Sequence, residues 1–297
     1  MKLNVDDLVE QGLVKKKTYT EGPYKGLSVL KYTKRVFWDN LWEKDPTGRL
    51  LECRGTVVDE EDNVIVLPFK KVFNLGENGT TVDPEREVII PEKINGFMAA
   101  ATYTEKYGLI ISTTGTLDSE YADIARKWIE PKANEVFMQK GSTFLFEICD
   151  KSDPHIVEEE EGAYLIGLRR TDSGFLFQEG SLDHLATWLG FKRPTTLKTK
   201  LKDIPQTKRE GFMVRCAYTE ETLCKIKSNH YLAKKAFMRM GRKRIDLAWN
   251  NPAEFRKQID EEFYSLHHYL VDTYTNEEYH TLKEMERRQS IEEYFND

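Results

Sequence analysis

Five basic residues lie in or beside short apolar runs, where together they could bind a polyphosphate. They are Arg54, Lys71, Lys93, Lys225 and Lys227. Cations this numerous on one domain repel one another unless an anion lies among them, and a nucleoside triphosphate has the required charge. The sequence therefore predicts a phosphate-binding site that contains lysines.

Lys93 is the candidate nucleophile of this site. It stands in PEKINGF, between the β-branched run EVII at 87–90 and the apolar stretch that follows Gly96. An unperturbed lysine has a pKa of about 10.4 and is a poor nucleophile. Like-charged neighbours and partial desolvation lower that pKa, so we expect a lowered pKa for Lys93. Taken alone, the K-x-x-G pattern also fits a solvated lysine at a strand turn.

Two acidic residues, Glu147 and Glu210, occur singly in predicted strands. Strand alternation in TFLFEIC places Glu147 on the face opposite to three large apolar residues. Glu210 begins the strand EGFMVR, and the same alternation predicts Phe212 and Val214 on its own face. Carboxylates are therefore expected near the cations.

The segment TLCKIK projects two ammonium groups together. Lys225 and Lys227 are two residues apart and share one face of a strand, while Cys224 and Ile226 point into the core.

The elements that position these residues are mainly short strands. Alternating or β-branched runs dominate residues 25–230, which predicts an α+β domain with antiparallel sheets. The clearest runs are at 55–59, 63–69, 108–114, 143–149, 163–170, 211–216 and 222–227. Apolar residues at helical spacing predict a helix at about 118–139, with Asp118 as its N-cap.

The C-terminal part of the chain has a helical pattern. It begins at Asn229, and Pro252 occupies a predicted first helical position. We therefore predict two domains, residues 1–231 and a small all-helical domain at 232–297. The basic stretch at 234–244 fits either a solvated helix face or an RNA-binding surface.

Composition is that of a folded, water-soluble protein. The chain has 297 residues, 39% hydrophobic and 32% charged, without an apolar run long enough to span a membrane. The N-terminus lacks a secretory signal, so a cytoplasmic location is expected. Four cysteines form no C-x-x-C pair and are expected to be reduced core residues. The net charge of −6 by itself speaks weakly against nucleic-acid binding.

The order of these motifs resembles that of the covalent nucleotidyltransferases, whose ligase domain is of the ATP-grasp-like type. In chain order the matching motifs are Arg54-Gly55, Lys71 to Asn74, Lys93 to Gly96, Glu147, Glu210 to Val214 and Lys225 to Lys227. The stretches ECRG, FNLGEN and KIKS further resemble the phage-encoded RNA ligase 1 family, which repairs broken tRNA. The resemblance covers about residues 28–232.

The resemblance implies an ATP-dependent RNA ligase that works through a lysine–AMP adduct. Lys93 would attack the α-phosphorus of ATP, and the catalytic lysines Lys225 and Lys227 would neutralise phosphate charge together with Lys71. Arg54 and Glu147 would hold the ribose hydroxyls.

The resemblance also implies a metal site and further nucleotide contacts. Glu210 and Glu147 would hold Mg²⁺ or Mn²⁺, since Mg²⁺ prefers a few carboxylates with retained waters. Phe73 and Val214 would line the nucleoside cleft, although core packing fits both equally well. Tyr32 and Glu92 would complete the nucleotide-binding set.

Three residues depart from the family pattern. Asn95 stands where an acidic residue is usual, Thr114 where a lysine is usual and His155 where an arginine is usual. The helical tail is also shorter than the tRNA-recognition domain of that family. The expected partner is RNA with 5′-phosphate and 3′-hydroxyl ends, with tRNA as one candidate. The protein is expected to be a monomer in the cytoplasm, which is the host cytoplasm if a bacteriophage encodes it.

Two alternatives remain open at the level of sequence. A DNA ligase or a capping-type guanylyltransferase would share the lysine and the phosphate-binding cations, but an oligonucleotide-binding barrel would be expected after Lys227. A non-catalytic RNA-binding module is the second alternative, and the intact set of lysines and acids argues against it.

Overall fold

The structure, a computed structural model, describes residues 1–133 and 141–296. In these residues the strands form three antiparallel sheets of four strands each. The strands are β1 (Val14–Thr18), β2 (Ser28–Tyr32), β3 (Arg54–Val58), β4 (Val64–Val66), β5 (Glu87–Pro91), β6 (Phe97–Thr104), β7 (Gly108–Thr113), β8 (Ser142–Cys149), β9 (Gly162–Arg170), β10 (Thr196–Lys200), β11 (Gly211–Cys216) and β12 (Thr222–Lys227). The α-helices are α1 (Asp6–Glu10), α2 (Lys34–Trp38), α3 (Arg49–Glu52), α4 (Glu120–Ile129), α5 (Glu179–Leu189), α6 (Asn229–Met238), α7 (Arg242–Asn250), α8 (Pro252–Arg256), α9 (Tyr264–Thr273), α10 (Asn276–Thr281) and α11 (Glu284–Asn296).

Sheet 1 (β1-β2-β3-β4) and sheet 3 (β7-β6-β8-β9) pack against each other. Val29 and Val57 of sheet 1 share a buried cluster with Ala100 and Leu145 of sheet 3. Successive side chains of a strand point to opposite faces, so Phe146, next to Leu145, packs instead in the cluster that includes α4 and α5. Strand β8 is therefore buried on both faces.

Sheet 2 has the strand order β10-β5-β11-β12 and a small core of its own. Val88 and Ile90 of β5 pack with Phe212 and Val214 of β11 and with Cys224 of β12. Because β12 leads directly into α6, this sheet connects the strands to the C-terminal helices.

The C-terminal helices share one apolar core, to which Phe255 and Leu266 contribute. Ile156 and Val157 join the same core, although they belong to the loop between β8 and β9. The side chain of Ser228 caps α6 by accepting a hydrogen bond from the Tyr231 N–H at 3.0 Å. Through Ile156 and Val157, the loop between β8 and β9 attaches the C-terminal helices to sheet 3.

The predicted α+β class is confirmed, with antiparallel sheets, flanking helices and a helical C-terminal segment. Each strand predicted from the runs above is present, and Pro252 occupies the first position of α8. The four cysteines are buried and free, as expected. None of the described helices has the length and apolarity of a membrane span. The division into domains at residue 231 stays a prediction.

The helix predicted at 118–139 differs in its start and its N-cap. Helix α4 begins at Glu120, and Ser119 caps it by accepting a hydrogen bond from the Ala122 N–H at 3.3 Å. Asp118 is not the cap, because its carboxylate accepts hydrogen bonds from Lys17 and the Tyr19 hydroxyl, both at 2.8 Å. Residues 134–139 of the predicted helix lie outside the described residues.

Candidate active site

A cavity of about 400 Å³ lies where sheets 1, 2 and 3 meet. Most of the predicted site residues line it: Tyr32, Arg54, Lys71, Glu92, Lys93, Glu147, Glu210 and Lys225. These residues come from six separate strands or strand ends and from the segment between β4 and β5, so the fold brings together side chains that are far apart in sequence.

Lys93 lies two residues after the end of β5, where its N–H donates to the carbonyl of Gly211 at 2.8 Å. Its Nζ donates to Glu210 Oε2 at 2.9 Å. Burial is the largest single influence and lowers the pKa of Lys93, but the carboxylates of Glu147 and Glu210 outweigh it and raise the pKa. The expectation of a lowered pKa for Lys93 is therefore wrong, because carboxylates and not cations are its nearest charged neighbours.

Glu210 is 4% exposed and is contacted by three donors. Lys93 Nζ and Asn95 Nδ2 both donate to its Oε2 at 2.9 Å, and Lys227 Nζ lies 3.5 Å from its Oε1. A buried carboxylate needs such partners, because an unpaired buried charge is strongly destabilising. Glu210 is thus the centre of the polar network around Lys93.

The prediction that Phe212 and Val214 share a face with Glu210 is wrong. Both lie in the core of sheet 2, whereas Glu210 faces the cavity. Gly211, between Glu210 and Phe212, has φ +137°, which is not the backbone conformation of a regular strand. The regular alternation of faces is therefore interrupted between Glu210 and Phe212. Val214 is accordingly a core residue and does not line the cavity.

Glu147 projects from β8 toward Lys93, on the face opposite to the apolar residues, as predicted. Its Oε1 accepts a hydrogen bond from the Gly96 N–H at 3.1 Å. Burial raises the pKa of Glu147, and the nearby Lys93 offsets this only in part. A Cβ added at Gly96 would lie 2.2 Å from the Ile148 carbonyl oxygen, so the glycine lets the Lys93 loop approach β8.

Lys225 and Lys227 share the face of β12 that turns toward the cavity, as predicted, while Cys224 packs in the core. Burial lowers the pKa of Lys225 to about 7, and the charges of Lys71 and Arg54 add to the effect. Burial also lowers the pKa of Lys227, although Glu210 opposes this. The Lys227 side chain lies beside the lining, with Nζ 4.8 Å from the centre of the Tyr231 ring.

Lys71 is held by aromatic rings and one carboxylate. Its Nζ lies 3.3 Å from Glu77 Oε1 and 4.9 Å from the centre of the Phe73 ring. The Phe73 ring packs edge-on against Trp42 and does not line the cavity, and its contact with a nucleoside stays a prediction. Phe73 instead supports Lys71, a cation–π arrangement that sequence spacing alone does not reveal.

Glu92 and Tyr32 both line the cavity, as expected for nucleotide contacts. Glu92 Oε2 lies 3.2 Å from Nε of Arg209, a residue that the sequence analysis did not single out. The Tyr32 ring packs edge-on against Trp42, with ring centres 5.0 Å apart. Trp42 therefore fixes the rings on this side of the cavity.

All three departures from the family pattern line the cavity. Thr114 is in the lining, and the Lys31 ammonium would lie 3.3 Å from a Cβ added at the next residue, Gly115. A lysine from β2 thus lies close to the position where the family pattern has one. His155 is in the lining as well, with Nε2 2.8 Å from Asp153 Oδ2.

The third departure, Asn95, is a central contact that the sequence analysis noted without assigning a role. It is 6% exposed, its Nδ2 donates to Glu210, and its Oδ1 accepts a hydrogen bond from the Val157 N–H at 2.8 Å. An aspartate here could accept the second of these bonds but, when ionised, could not donate the first. An asparagine in place of the usual acidic residue was the indication that the sequence offered. Its partners, Glu210 and Val157, are distant in sequence and could not be predicted.

The carboxylates suit a metal ion that is shared with a ligand. Among the described residues, no group of three or more His, Cys, Asp or Glu is arranged to hold a metal ion. Two carboxylates in the cavity, Glu147 and Glu210, nevertheless match the preference of Mg²⁺ for one or two protein carboxylates plus phosphates and waters. The donor set therefore fits a divalent ion bound together with nucleotide phosphates.

Comparison with known proteins identifies a family. A family model described as RNA ligase matches residues 52–238, a range that includes the cavity residues from Arg54 to Tyr231. No curated protein sequence matches the chain.

Comparison with solved structures identifies the fold. An archaeal ATP-dependent RNA ligase in two forms is similar over 97% of this chain and 74% of its own, with TM-scores of 0.58 and 0.59 and identities of 13% and 15%. An Aquifex aeolicus protein assigned as an ATP-dependent DNA ligase is similar over 98% of this chain and 78% of its own, with a TM-score of 0.55 and 13% identity. At these identities the likeness shows a shared fold.

Proposed function

This chain belongs to the RNA ligase family, and we propose that it joins 5′-phosphate and 3′-hydroxyl ends of RNA through an AMP adduct on Lys93, with ATP as the AMP donor. The observation that carries the proposal is the position of Lys93. Its Nζ lies in the cavity, 2.9 Å from a buried carboxylate, among the cations Arg54, Lys71 and Lys225.

In the first step the lysine nitrogen attacks the α-phosphorus of ATP. A bond forms between Nζ and phosphorus, and the bond between that phosphorus and the pyrophosphate oxygen breaks. Lys93 must lose a proton first, because its raised pKa keeps it an ammonium, and Glu210 Oε2 is in place to accept the proton. Lys71 and Lys225 neutralise the charge that moves to the pyrophosphate.

In the two later steps the AMP passes to RNA and is then displaced. An oxygen of the RNA 5′-phosphate attacks the adduct phosphorus, the P–N bond breaks, and Lys93 regains a proton. A 3′-hydroxyl then attacks the activated 5′-phosphorus and AMP leaves. Lys225 and Lys227 share one strand face and so can stabilise phosphate charge at both stages.

Two carboxylates and one guanidinium would hold the ribose hydroxyls of the nucleotide and a divalent ion. Arg54 and Glu147 hold the ribose hydroxyls as donor and acceptor. Glu210 and Glu147 would hold Mg²⁺ or Mn²⁺, and such an ion, when bound, adds positive charge at the phosphates.

The RNA substrate and its biological setting follow from the family resemblance. We propose RNA repair, with broken tRNA as the candidate substrate, carried out by a monomer in the cytoplasm of a phage-infected host. The helices that begin at Asn229 follow β12 directly, where a DNA ligase or a capping-type guanylyltransferase would be expected to have a barrel. The match to the RNA ligase family favours RNA over the alternative substrates.

The test is to map the adduct. Purified protein mixed with labelled ATP and Mg²⁺ is expected to carry one AMP on the peptide around EKINGF, acid-labile and base-stable, as read by mass spectrometry. Lys93→Ala should abolish labelling. Lys257→Ala should keep it, since that side chain is 73% exposed in the helical segment.

The nucleotide and the polynucleotide are varied in the same assay. Chasing the adduct with 5′-phosphorylated RNA or DNA then measures sealing. AMP on another lysine would overturn the assignment of Lys93. Labelling by GTP alone would indicate a guanylyltransferase, sealing of DNA alone a DNA ligase, and absence of any adduct a non-catalytic module.

A further inference from the structure

Helix α2 presents two adjacent aromatic side chains to solvent. Phe37 is 51% exposed and Trp38 is 71% exposed. Trp42, a few residues further on, is 6% exposed and packs between Tyr32 and Phe73. The two exposed rings, here called the α2 aromatic pair, are therefore not required to fill the neighbouring core.

The α2 aromatic pair is continuous with the cavity. Lys71 Nζ, which belongs to the lining, lies 5.2 Å from the centre of the Phe37 ring. Phe37 and Trp38 themselves do not line the cavity. The pair therefore lies beside the cavity, next to Lys71, and not inside it.

Cations accompany the rings. Lys34 Nζ lies 5.8 Å from the centre of the Trp38 ring, and Arg35 pairs with Asp39 at 3.6 Å while both side chains remain more than half exposed. Exposed aromatic faces beside ammonium groups are the arrangement that binds single-stranded nucleic acid, because bases stack on the rings and phosphates contact the cations.

We propose that the α2 aromatic pair stacks bases of single-stranded RNA next to the end that is being sealed; this rests on the proposed function. A base on Phe37 lies next to Lys71, and so next to the phosphates of the reacting groups. Stacking does not depend on base identity, so the surface confers affinity for unpaired RNA and not for a particular sequence. An apolar partner protein would not need the ammonium groups that accompany both rings.

The experiment measures RNA binding and sealing by Trp38→Ala and by the double variant Phe37→Ala, Trp38→Ala. Affinity for a 5′-phosphorylated single-stranded oligoribonucleotide is measured by fluorescence anisotropy, and KM for RNA by sealing. Removing one stacked base is expected to raise Kd and KM by roughly fivefold to a hundredfold. Formation of the Lys93 adduct, which requires no RNA, and kcat at saturating RNA should change far less.

Two further variants separate stacking from other effects of the substitution. Trp38→Phe keeps a flat ring and should retain most of the affinity. Trp188→Ala removes a side chain of equal size, 68% exposed on α5 and not part of the lining among the described residues, and should bind RNA as the unmodified protein does.

The proposal is overturned if the double variant binds RNA with unchanged Kd, or if adduct formation falls as much as RNA affinity does. It is also overturned if the unmodified protein self-associates and Trp38→Ala disperses it without changing RNA affinity, since the pair would then be a contact between copies. Failure of the proposed function has a separate signature, namely that the unmodified protein forms no adduct or seals no RNA.

Discussion

Lys93 and Lys225 line the same cavity, yet their pKa values are shifted in opposite directions. Lys93 lies between two carboxylates, which raise its pKa although burial opposes them. Lys225 is buried near Lys71 and Arg54, so its pKa falls to about 7. A nucleotide that enters the cavity brings negative charge to both, and it is Lys225 whose protonation changes most near neutral pH.

Nucleotide binding should therefore take up a proton through Lys225. Because its pKa is about 7 in the free protein, Lys225 is mostly neutral at pH 8, and phosphates that raise this pKa recharge it. The affinity for an ATP analogue that cannot be cleaved should fall as pH rises above 7, by up to about tenfold per unit. Calorimetry in buffers of different ionisation enthalpy measures the uptake directly.

Lys225→Arg provides the control for this prediction. Arginine stays charged throughout the range, so the variant should bind the analogue with little proton uptake, whether or not it supports catalysis. Equal uptake by both proteins would assign the proton to another group.

At the residue scale, the types of the side chains could be predicted and several of their partners could not. Spacing and alternation correctly brought Glu147, Lys225 and the other lining residues toward one site. Alternation gives the two faces of a strand but not what each face meets. The resemblance places Phe73 and Val214 at the nucleoside cleft or in the core, and neither side chain lines the cavity. The two hydrogen bonds of Asn95 depend on segments distant in sequence.

At the element scale, Gly211 determines how β11 enters the site. A Cβ added there would lie 2.0 Å from the Ile226 carbonyl oxygen and 2.8 Å from the Lys227 Cα. Backbone atoms cannot move aside as a flexible side chain can, so a substitution must displace the pairing of β11 with β12. The glycine thus fixes Glu210 and Lys227 relative to each other.

Gly211→Ala is expected to lower the free energy of unfolding by about 2 kcal/mol or more and to slow adduct formation at least tenfold. The physical cause is the strained φ together with the displacement of Lys227 from Glu210. Gly180→Ala in α5 is the matched control, since a Cβ there meets no heavy atom within 4 Å. Alanine also favours helix, so this variant should be as stable as the unmodified protein or more so. Thermal unfolding measures the stability of both variants, and AMP labelling measures their rates of adduct formation.

Elements with a clear apolar or β-branched run were predictable from the sequence even when short, as β3 and β4 were, whereas elements without such a run were not. Strands β8, β9, β11 and β12 combine apolar alternation with enough residues to show it. Strand β10 exposes most of its side chains, and helices α1 to α3 have only four or five residues, so neither carries a readable period. The start of the helix predicted at 118–139 was wrong for a different reason, because apolar periodicity does not define the N-cap.

At the scale of the whole molecule, the basic stretch at 234–244 is divided between interior and surface. Lys234 is fully buried and ion-paired with Glu292, so it helps to join α6 to α11. Lys235, the next residue, is exposed. Neither a fully solvated face nor a continuous RNA-binding surface describes the whole stretch.

Because one of these neighbouring lysines is buried and the other is exposed, their replacement by alanine should change the free energy of unfolding by different amounts. Lys234→Ala should destabilise the protein by about 2 kcal/mol, mainly because it leaves a cavity in the interior, and it also removes one of the partners of Glu292. Lys235→Ala should change stability by about 0.5 kcal/mol or less. Denaturant unfolding followed by circular dichroism measures both, and equal effects would contradict the assignment.

The loop that places Ile156 and Val157 in the core of the C-terminal helices has a consequence for the order of events during translation. Val157 also donates to Asn95, which in turn holds Glu210 against Lys93. The ribosome delivers the lysines of the cavity before it delivers residues 229–296, which cover this loop. We therefore expect a nascent chain to contain Lys93 before the surroundings of this lysine are complete, and to form the proposed adduct only after the C-terminal helices have docked.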